Sequence, residues 1–430
     1  MRLLYNILFP VFFLFAAPFY FWKLVRRGNW LEGFGQRFGS YGPLGSDLKD
    51  KRVLWLHAVS VGEANLAIQL VNELRRELAG WTYVVSTTTT TGMRVLQSKL
   101  PENTRAVYYP IDWLPFVKAA FRALNPSAVV LVEAEIWPNL FWEANRVKVP
   151  LHLVNARLSK NSFVGYRRFG FIFRPIFESL KVVGVQNAND ADRIVKLGCA
   201  TKVVDVVGNM KFDGSQISSE SGTNAWGLLD QLKIPAGVPV LVGGSTFEGE
   251  EKLLCDLLPR WRKAVPSLLL VLVPRHCERA AKLLEQLAST GLKIALRTRL
   301  ETAPENPDVL LVDTTGELAS FYEVATLVFI GKSLTAQGGQ NPIEPAALGK
   351  PVIFGPFMQN FTEVVNLLLK AKGAVQVADE SELAGKIDEL LKDSEQCSSL
   401  GSAARSAVEA NKGATQRAAR MLGQTLRSSQ

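Results

Sequence analysis

From Val53 onward, short apolar runs alternate with segments whose apolar residues recur at helical spacing. In the first half, the run VLWLHA (53–58) leads into a predicted helix over about 63–78. Parallel strands need a long crossover connection between them, and an amphipathic helix usually provides it. The alternation therefore predicts an α/β protein with doubly wound parallel sheets that carry helices on both faces.

The length of 430 residues suggests two domains, because single cores rarely grow beyond about 250–300 residues. The apolar rhythm fades in the stretch SQISSESGTN, where we place a linker at 214–237. A second series of strands and helices follows, with helices predicted over about 250–264 and 280–287. The sequence thus predicts Rossmann-like domains at 29–213 and 238–430.

The N-terminal segment is uncharged over 3–22, a length of 20 residues that approaches the thickness of a bilayer core. A basic cluster at 23–27 follows it, as suits anionic phospholipids. We predict that residues 1–28 form a hydrophobic membrane anchor and, by the positive-inside rule, that the rest of the chain lies in the cytoplasm. A cleaved signal peptide is the alternative, disfavoured by the short n-region and by Pro18.

The net charge of +9 favours anionic partners such as phosphorylated or carboxylated substrates and anionic lipid. No Lys/Arg-rich run with interleaved aromatics follows the N-terminus, so nucleic acid is not an expected partner. The four cysteines are scattered without pairing or metal-ligand spacing, which indicates a reducing compartment and no zinc site.

Carboxylates stand at the ends of two predicted strands in the first half. Glu63 in HAVSVGEAN follows Gly62 at a junction of strand and helix, where it could act as a general base or simply complement the helix dipole. Glu133 and Glu135 in VEAEIWPN lie two residues apart, on one face of an extended strand end. Such a pair needs solvent or a partner, so it indicates either a site or a structural ion pair.

The sequence Asp190-Ala191-Asp192 formally matches a metal-binding D-x-D motif. Its position after VGVQNAN also fits a capping cluster at the start of a helix, which we favour. No metal site is therefore predicted.

In the second half, the motifs VPRH (273–276), TTGEL (314–318) and GGQNPIEP (338–345) each lie at a strand end or helix start. Arg275 could bind a phosphate, and a helix that begins near Pro342 would add its positive end. Any one of these motifs could equally be an ordinary turn, but their joint placement on one rim indicates a ligand site.

The motifs SVGE, EAEIWPN, NARLS, GNMKFD, VPRH, TTGEL and GGQNPIEP, in this order, closely resemble those of the 3-deoxy-D-manno-octulosonic acid (Kdo) transferase family. The resemblance spans nearly the whole chain. It implies a GT-B fold with an N-terminal acceptor-binding domain, a C-terminal CMP-sugar-binding domain, CMP-Kdo as co-substrate and no metal or other cofactor. It also implies transfer to a lipid A precursor (lipid IVA) in lipopolysaccharide core biosynthesis, at the cytoplasmic face of the bacterial inner membrane.

The resemblance also assigns roles to residues. The general base falls on Glu63, and the residues that stabilise the transition state are Glu133 and Lys211. The CMP contacts fall on Pro274, Arg275, Thr315, Gly316, Glu317, Asn341, Pro342, Ile343 and Glu344. The chain departs from the family at Phe247 and at Gln340, where the family commonly shows a histidine.

The chemistry implied is an inverting displacement, in which one carboxylate deprotonates the acceptor hydroxyl while CMP departs. Two alternatives remain open from the residues alone. One is another two-domain enzyme that acts on a UDP-sugar, and the other is a non-catalytic, membrane-tethered nucleotide-binding module.

Overall fold

The computed structural model describes residues 2–26, 31–133, 136–215 and 223–428. The chain divides into two compact units, one of Met1–Gly214 with Lys412–Gln430 and the other of Ser215–Asn411. Within the described residues each unit holds a seven-stranded sheet in which neighbouring strands run parallel. The predicted α/β class with two doubly wound sheets is confirmed.

The strands of the first unit are β1 (Arg52–His57), β2 (Trp81–Thr87), β3 (Thr104–Tyr108), β4 (Pro126–Val132), β5 (Leu151–Ala156), β6 (Leu180–Val185) and β7 (Val204–Val206). Its helices before the second unit are α1 (Arg2–Arg26), α2 (Leu44–Asp47), α3 (Val61–Glu77), α4 (Thr90–Lys99), α5 (Leu114–Leu124), α6 (Pro138–Arg146), α7 (Lys160–Arg168), α8 (Gly170–Glu178) and α9 (Ala188–Lys196). The strand order is β3-β2-β1-β4-β5-β6-β7.

Strand β1 shows why its sequence is a continuous apolar run. Val53 and Trp55 join the apolar cluster on one side of the sheet, whereas Leu54 and Leu56 join a separate cluster that contains α3. All four side chains are fully buried. A strand covered on both faces needs apolar residues at every position, because alternate side chains point to opposite faces.

The strands of the second unit are β8 (Val240–Thr246), β9 (Leu269–Pro274), β10 (Ile294–Leu296), β11 (Val309–Leu311), β12 (Leu327–Ile330), β13 (Val352–Phe354) and β14 (Ala374–Gln376). Its helices are α10 (Ala225–Gln231), α11 (Glu250–Ala264), α12 (Ala280–Leu287), α13 (Leu318–Val324), α14 (Ile343–Ala347), α15 (Thr362–Lys370), α16 (Glu380–Lys392) and α17 (Ser394–Ala410). The strand order is β10-β11-β9-β8-β12-β13-β14.

Each sheet contains a point where the order of the strands reverses. It lies between β1 and β4 in the first sheet and between β8 and β12 in the second. In open parallel sheets, the loops at the carboxyl ends of the two strands at such a point diverge and leave a crevice for ligands. The loops after these four strands are therefore the places to look for chemistry.

The last helix, α18 (Ala414–Ser428), belongs to the first unit, whereas the sequence placed 238–430 in one C-terminal domain. Apolar residues of α18 join the cluster that contains α3. The Asp213 carboxylate accepts hydrogen bonds from the backbone N–H groups of Gly413 and Thr415, which ties the start of α18 to the end of the first segment. Helix α18 packs on the first unit because its apolar face is buried there. The tail sequence alone did not indicate that α3 is the element it packs against.

The predicted linker at 214–237 contains a short helix. Residues 216–222 lie outside the described part of the chain, but α10 follows them and buries Ala225, Leu228 and Leu229 in the second unit. Asn224 caps α10, since its side chain accepts a hydrogen bond from the Gly227 N–H. The helix is only seven residues long and directly follows the polar stretch SQISSESGTN, so the predicted linker included it.

Helix α1 contains Pro10 and Pro18 and covers most of the predicted anchor at 1–28. In the described ranges of the chain, no helix is long and apolar enough to cross a membrane. Several large apolar side chains of α1 are nevertheless exposed, with Leu3, Leu14 and Phe15 each more than two-thirds accessible.

Polar contacts hold the first turns of α1 on the first unit. The Asn6 and Asn139 side-chain amides donate to each other at 2.9 and 3.0 Å. The Tyr5 hydroxyl donates to Asp112 Oδ2 at 3.0 Å, and the same carboxylate accepts the backbone N–H groups of Asn139 and Leu140 at the start of α6. We call Tyr5, Asn6, Asp112 and Asn139 the α1 polar cluster.

Candidate active site

Glu63 lies in the first turn of α3, with Ser60 at the N-cap. The Val59 backbone N–H donates to Glu63 Oε2 and the Ser60 hydroxyl donates to Oε1, both at 2.8 Å. In return the Glu63 N–H donates to Ser60 Oγ at 3.3 Å. This reciprocal arrangement is a capping box, so Glu63 has a structural function at the start of the helix.

The Glu63 carboxylate is also suited to proton transfer. Its side chain is 7% exposed, and this burial raises the pKa of Glu63 above its ordinary value, against the lowering effect of the Val59 and Ser60 hydrogen bonds. The negative charge of Glu133 raises the pKa further. A carboxylate with a raised pKa binds a proton more strongly, and each oxygen retains a lone pair beyond its capping bond.

Glu133 follows the last residue of β4 and adopts a left-handed backbone conformation, with a φ of 61°. Its Oε1 lies 3.1 Å from Nζ of Lys211, and both side chains are about a quarter exposed. Non-glycine residues with such backbone strain are enriched at functional sites. The structure thus brings together two of the predicted catalytic residues, while Glu135 lies outside the described residues.

Asn155 is a member of this cluster that sequence reasoning did not single out. It lies at the carboxyl end of β5 with a φ of 52° and is fully buried. Its Nδ2 lies 3.5 Å from Oε1 of Glu133, and its Oδ1 accepts the Met210 N–H beside Lys211. Asn155 therefore joins the strand end that carries Glu133 to the segment that carries Lys211. Its position at a strand end in NARLS was the available signal.

The second unit brings Arg275 near Glu344. Arg275 follows Pro274 at the end of β9, and its side chain is exposed. Burial raises the pKa of Glu344, whereas the hydrogen bond from Asn341 Nδ2 to Glu344 Oε1 at 2.9 Å and the Arg275 charge lower it. Two predicted ligand motifs, VPRH and GGQNPIEP, thus meet at the same edge of the sheet.

The helix predicted near Pro342 is present, because Pro342 is the N-cap residue of α14. Asn341 Oδ1 accepts the backbone N–H of Ile343, the first residue of the helix. The Asn341 side chain therefore holds Glu344 with its amide group and the helix start with its carbonyl group. Gln340, at a departure from the family, is half-buried directly before it.

The TTGEL loop presents two of its predicted contacts to solvent and turns one inward. Thr315 and Gly316 are exposed, and the φ of 86° at Gly316 requires a left-handed backbone. Glu317 is 7% exposed, and its carboxylate accepts hydrogen bonds from Thr314, Thr223 and Arg297. The Glu317 side chain thus braces the loop, which leaves the exposed residues of the loop to meet a ligand.

The D-x-D segment behaves as a capping cluster. Asn187 is the N-cap residue of α9, and the buried Asp190 accepts hydrogen bonds from Asn187 Nδ2 and from the Leu158 N–H. Asp192 pairs with Lys196 at 2.7 Å on the exposed side. Across the residues that the structure describes, no group of three His, Cys, Asp or Glu side chains could hold a metal ion.

Two doubly wound units in tandem give the fold class of the GT-B glycosyltransferases and related nucleotide-sugar enzymes. A solved structure of this fold, UDP-GlcNAc 2-epimerase from Neisseria meningitidis bound to UDP-GlcNAc, aligns with a TM-score of 0.59. The alignment covers 88% of this chain and 100% of that chain at 14% sequence identity, so it shows the fold alone.

Sequence comparison gives the family. A family model described as 3-deoxy-D-manno-octulosonic-acid transferase (kdotransferase) matches residues 32–214. A 3-deoxy-D-manno-octulosonic acid transferase of Bordetella pertussis is 32% identical over 413 residues, which cover 92% of this chain and 93% of the relative. The corresponding transferase of Haemophilus influenzae is 28% identical, with 91% of each chain covered. The chain belongs to the 3-deoxy-D-manno-octulosonic acid transferase family, and the predicted resemblance is confirmed.

Proposed function

We propose that this protein transfers Kdo from CMP-Kdo to a lipid A precursor, lipid IVA, in lipopolysaccharide core biosynthesis. One observation supports this function most strongly. Glu63, Glu133 and Lys211, the three side chains predicted to carry the chemistry, cluster where the loops after β1 and β4 diverge. Family membership supports Kdo as the sugar that is transferred. The cluster contains the acidic and basic groups that the transfer needs.

In this proposal Glu63 is the general base. Its carboxylate removes the proton of the acceptor hydroxyl as that oxygen attacks the anomeric carbon of Kdo, and the bond from this carbon to the CMP phosphate oxygen breaks. A single displacement from the opposite face inverts the anomeric configuration. The raised pKa of Glu63 favours this role because a stronger base accepts the proton more readily.

Glu133 and Lys211 stabilise charge around the reacting centre. The sugar ring gains positive character in the transition state, which the Glu133 carboxylate attracts. Lys211 balances the Glu133 charge at 3.1 Å. In the proposal its ammonium also attracts the acidic group of the donor. Neither role requires a metal ion, and we expect turnover in the presence of a chelator.

The second unit binds the CMP part of the donor. Arg275 supplies a cation, the exposed Thr315 and Gly316 allow the backbone to approach, and the segment around Asn341 and Glu344 supplies polar groups. Backbone N–H groups and cations can absorb the charge that grows on the departing phosphate.

We further propose that α1 attaches the protein to the cytoplasmic face of the bacterial inner membrane. The exposed apolar side chains of α1, among them Leu3, Leu14 and Phe15, fit the acyl region of a lipid leaflet. The basic cluster at 23–27 fits anionic head groups. Attachment at this face would bring the protein to an acceptor that resides in the same membrane.

The test is direct transfer. Purified full-length protein is incubated with CMP-Kdo and a tetra-acylated disaccharide bisphosphate, and the lipid product is weighed by mass spectrometry. We expect a gain of one or more Kdo masses in detergent and in the presence of EDTA. A product that forms from a UDP-sugar in place of CMP-Kdo would contradict the proposed donor, and binding of nucleotide without any transfer would favour a non-catalytic module.

A further inference from the structure

Lys332 lies two residues after the end of β12, at the point where the strand order of the second sheet reverses. Its backbone is left-handed, with a φ of 55°, and its side chain is half-buried. The ammonium nitrogen lies 5.3 Å from the ring centroid of Phe247, which follows β8 on the other side of the reversal point. The cation and the ring thus flank the place where open sheets bind ligands.

The surroundings hold Lys332 in place. Its backbone N–H donates to Glu250 Oε2 at 2.7 Å, and the fully buried Glu250 also accepts the backbone N–H groups of Phe247 and Ser333. The Lys332 carbonyl oxygen also accepts the backbone N–H of Gly339 at 2.9 Å. One buried carboxylate therefore fixes the backbone of both Phe247 and Lys332.

The Lys332 ammonium lacks an acidic partner of its own. Among the described residues, no carboxylate oxygen lies within 4.0 Å of Nζ, unlike the lysines that pair with acidic side chains on the helices of this unit. A half-buried cation without a counter-ion is not neutralised by the protein, so binding of an anionic ligand beside it is electrostatically favourable. The ring of Phe247 limits the positions that the ammonium can occupy.

We propose that Lys332 binds the phosphate of the nucleotide donor and that Phe247 positions the Lys332 ammonium for this contact. The inference rests on the proposed function, since it needs a CMP-sugar in the second unit. Lys332 is thereby a determinant of donor affinity in addition to Arg275.

The experiment compares CMP with cytidine, which lacks the phosphate, and with CMP-Kdo, which adds the sugar. Binding of each to the full chain is measured by calorimetry for the wild type, Lys332→Met and Lys332→Arg. Lys372→Met is the matched control, because Lys372 is an exposed lysine of the same unit with the same φ of 55°. Thermal melting of each variant verifies the fold.

We expect Lys332→Met to weaken CMP binding about tenfold or more, as loss of a charge-assisted hydrogen bond does. Cytidine binding should stay unchanged, Lys332→Arg should retain most of the CMP affinity, and Lys372→Met should bind as the wild type does. Phe247→Leu should weaken CMP binding about threefold, because a cation–aromatic contact at a partly exposed site is weak.

Wild-type CMP affinity in Lys332→Met, or an equal loss for CMP and cytidine, would overturn the phosphate contact. A loss seen with CMP-Kdo but absent with CMP would place the ammonium on the sugar carboxylate and would overturn it as well. If the wild type itself does not bind CMP, the proposed donor fails and the contact fails with it. The wild-type measurement therefore separates failure of the function from failure of this inference.

Discussion

In the proposed mechanism, individual residues at the strand ends serve structure and chemistry together, and Glu63 is the clearest case. Its carboxylate closes the capping box of α3, yet its pKa is raised by burial and by the charge of Glu133. A structural cap and a general base make different demands on the side chain. The cap needs only hydrogen-bond acceptors, whereas the base must also bind a proton.

Glu63→Gln separates these demands. The amide oxygen can still accept one capping bond, but the side chain cannot take up the proton of the acceptor, so we expect kcat to fall by about 10²–10⁴-fold. The melting temperature should change by only a few degrees, since one cap contributes about 1 kcal/mol. Initial rates of Kdo transfer and thermal melting measure the two effects.

Glu382 offers a matched control, because its Oε2 accepts the Ala378 N–H at 2.7 Å and its own N–H donates to the Asp379 side chain, as in the capping box of α3. Glu382→Gln should show the same small change in melting and normal turnover. Normal turnover in Glu63→Gln would remove Glu63 from the mechanism and leave it as a cap alone.

Two buried histidines make the first unit sensitive to acid. His57 and His152 are fully buried, and burial lowers the pKa of His57 to about 3 and that of His152 to about 4, from 6.5. The unfolded chain binds protons that the folded chain excludes, so stability falls as the pH drops below 6.5, by about 1.4 kcal/mol per pH unit for each histidine.

Asp112 acts in the opposite direction. Burial raises the pKa of Asp112 from 3.8 to about 6, so between these values the folded state binds the proton more tightly and stability rises as the pH falls. The stability that Asp112 contributes as the pH falls therefore offsets about as much as one of the two histidines removes. Between pH 6 and 4.5 we therefore expect His152→Leu to lose about 2 kcal/mol less stability than the wild type. Hydrogen exchange of β1, corrected for intrinsic rates, measures the change; equal losses in both proteins would contradict the assignment.

At the scale of elements, the α1 polar cluster joins the N-terminal helix to the start of α6. The Asp112 carboxylate accepts hydrogen bonds from Tyr5 and from the backbone N–H groups of Asn139 and Leu140. Since α6 begins five residues after Glu133, one carboxylate contacts both α1 and the helix that follows the Glu133 loop.

Asp112→Asn tests this connection. An amide directs N–H donors toward backbone N–H groups, so at least one buried donor loses its acceptor at a cost of about 1–3 kcal/mol. We expect faster hydrogen exchange in the first turns of α1 and in α6. Asp379→Asn should leave exchange unchanged, because asparagine is as good an N-cap as aspartate. Unchanged protection of α1 in Asp112→Asn would show that its apolar contacts alone hold the helix.

The same scale shows how far sequence reasoning reaches. Helices α11 and α12 occupy the predicted ranges because their helical periodicity and flanking strands are unambiguous. Helix α10 was not predicted, because it is short and directly follows a polar stretch of the chain. The motifs indicated Glu133 and Lys211 as site residues. Their ion pair at 3.1 Å forms because the end of β4 and the segment after β7 lie next to each other in the fold, which the motifs do not show. Periodicity reports local structure and carries no distance between remote segments.

At the scale of the whole molecule, the chain leaves the first unit at Gly214 and returns to it at Lys412. Helix α18 then buries apolar residues such as Ala418, Leu422 and Leu426 in the cluster that contains α3. The tail has an apolar face suited to any sheet or helix surface, so its sequence could not reveal which unit it covers. The prediction that 238–430 form a single domain was wrong for this reason.

Leu422→Ala should therefore destabilise the first unit, although position 422 follows the whole second unit in sequence. Leu422 is fully buried, and truncation of such a leucine costs about 2–5 kcal/mol. We expect faster hydrogen exchange in α3 and unchanged exchange in β8 and β9. Leu390→Ala, at a buried position of the second unit, should give the reverse pattern. Accelerated exchange of β8 alone in Leu422→Ala would contradict the division of the chain.

The return of α18 also sets an order of events during synthesis. The ribosome delivers α3 before the second unit and α18 after it, so the apolar face of α3 that α18 covers stays open to water or chaperones until α18 has been translated. A nascent chain, or one cut short by a late stop codon, would carry an unfinished N-terminal half. Emergence of α18 from the ribosome is thus the event that completes the unit whose synthesis began first.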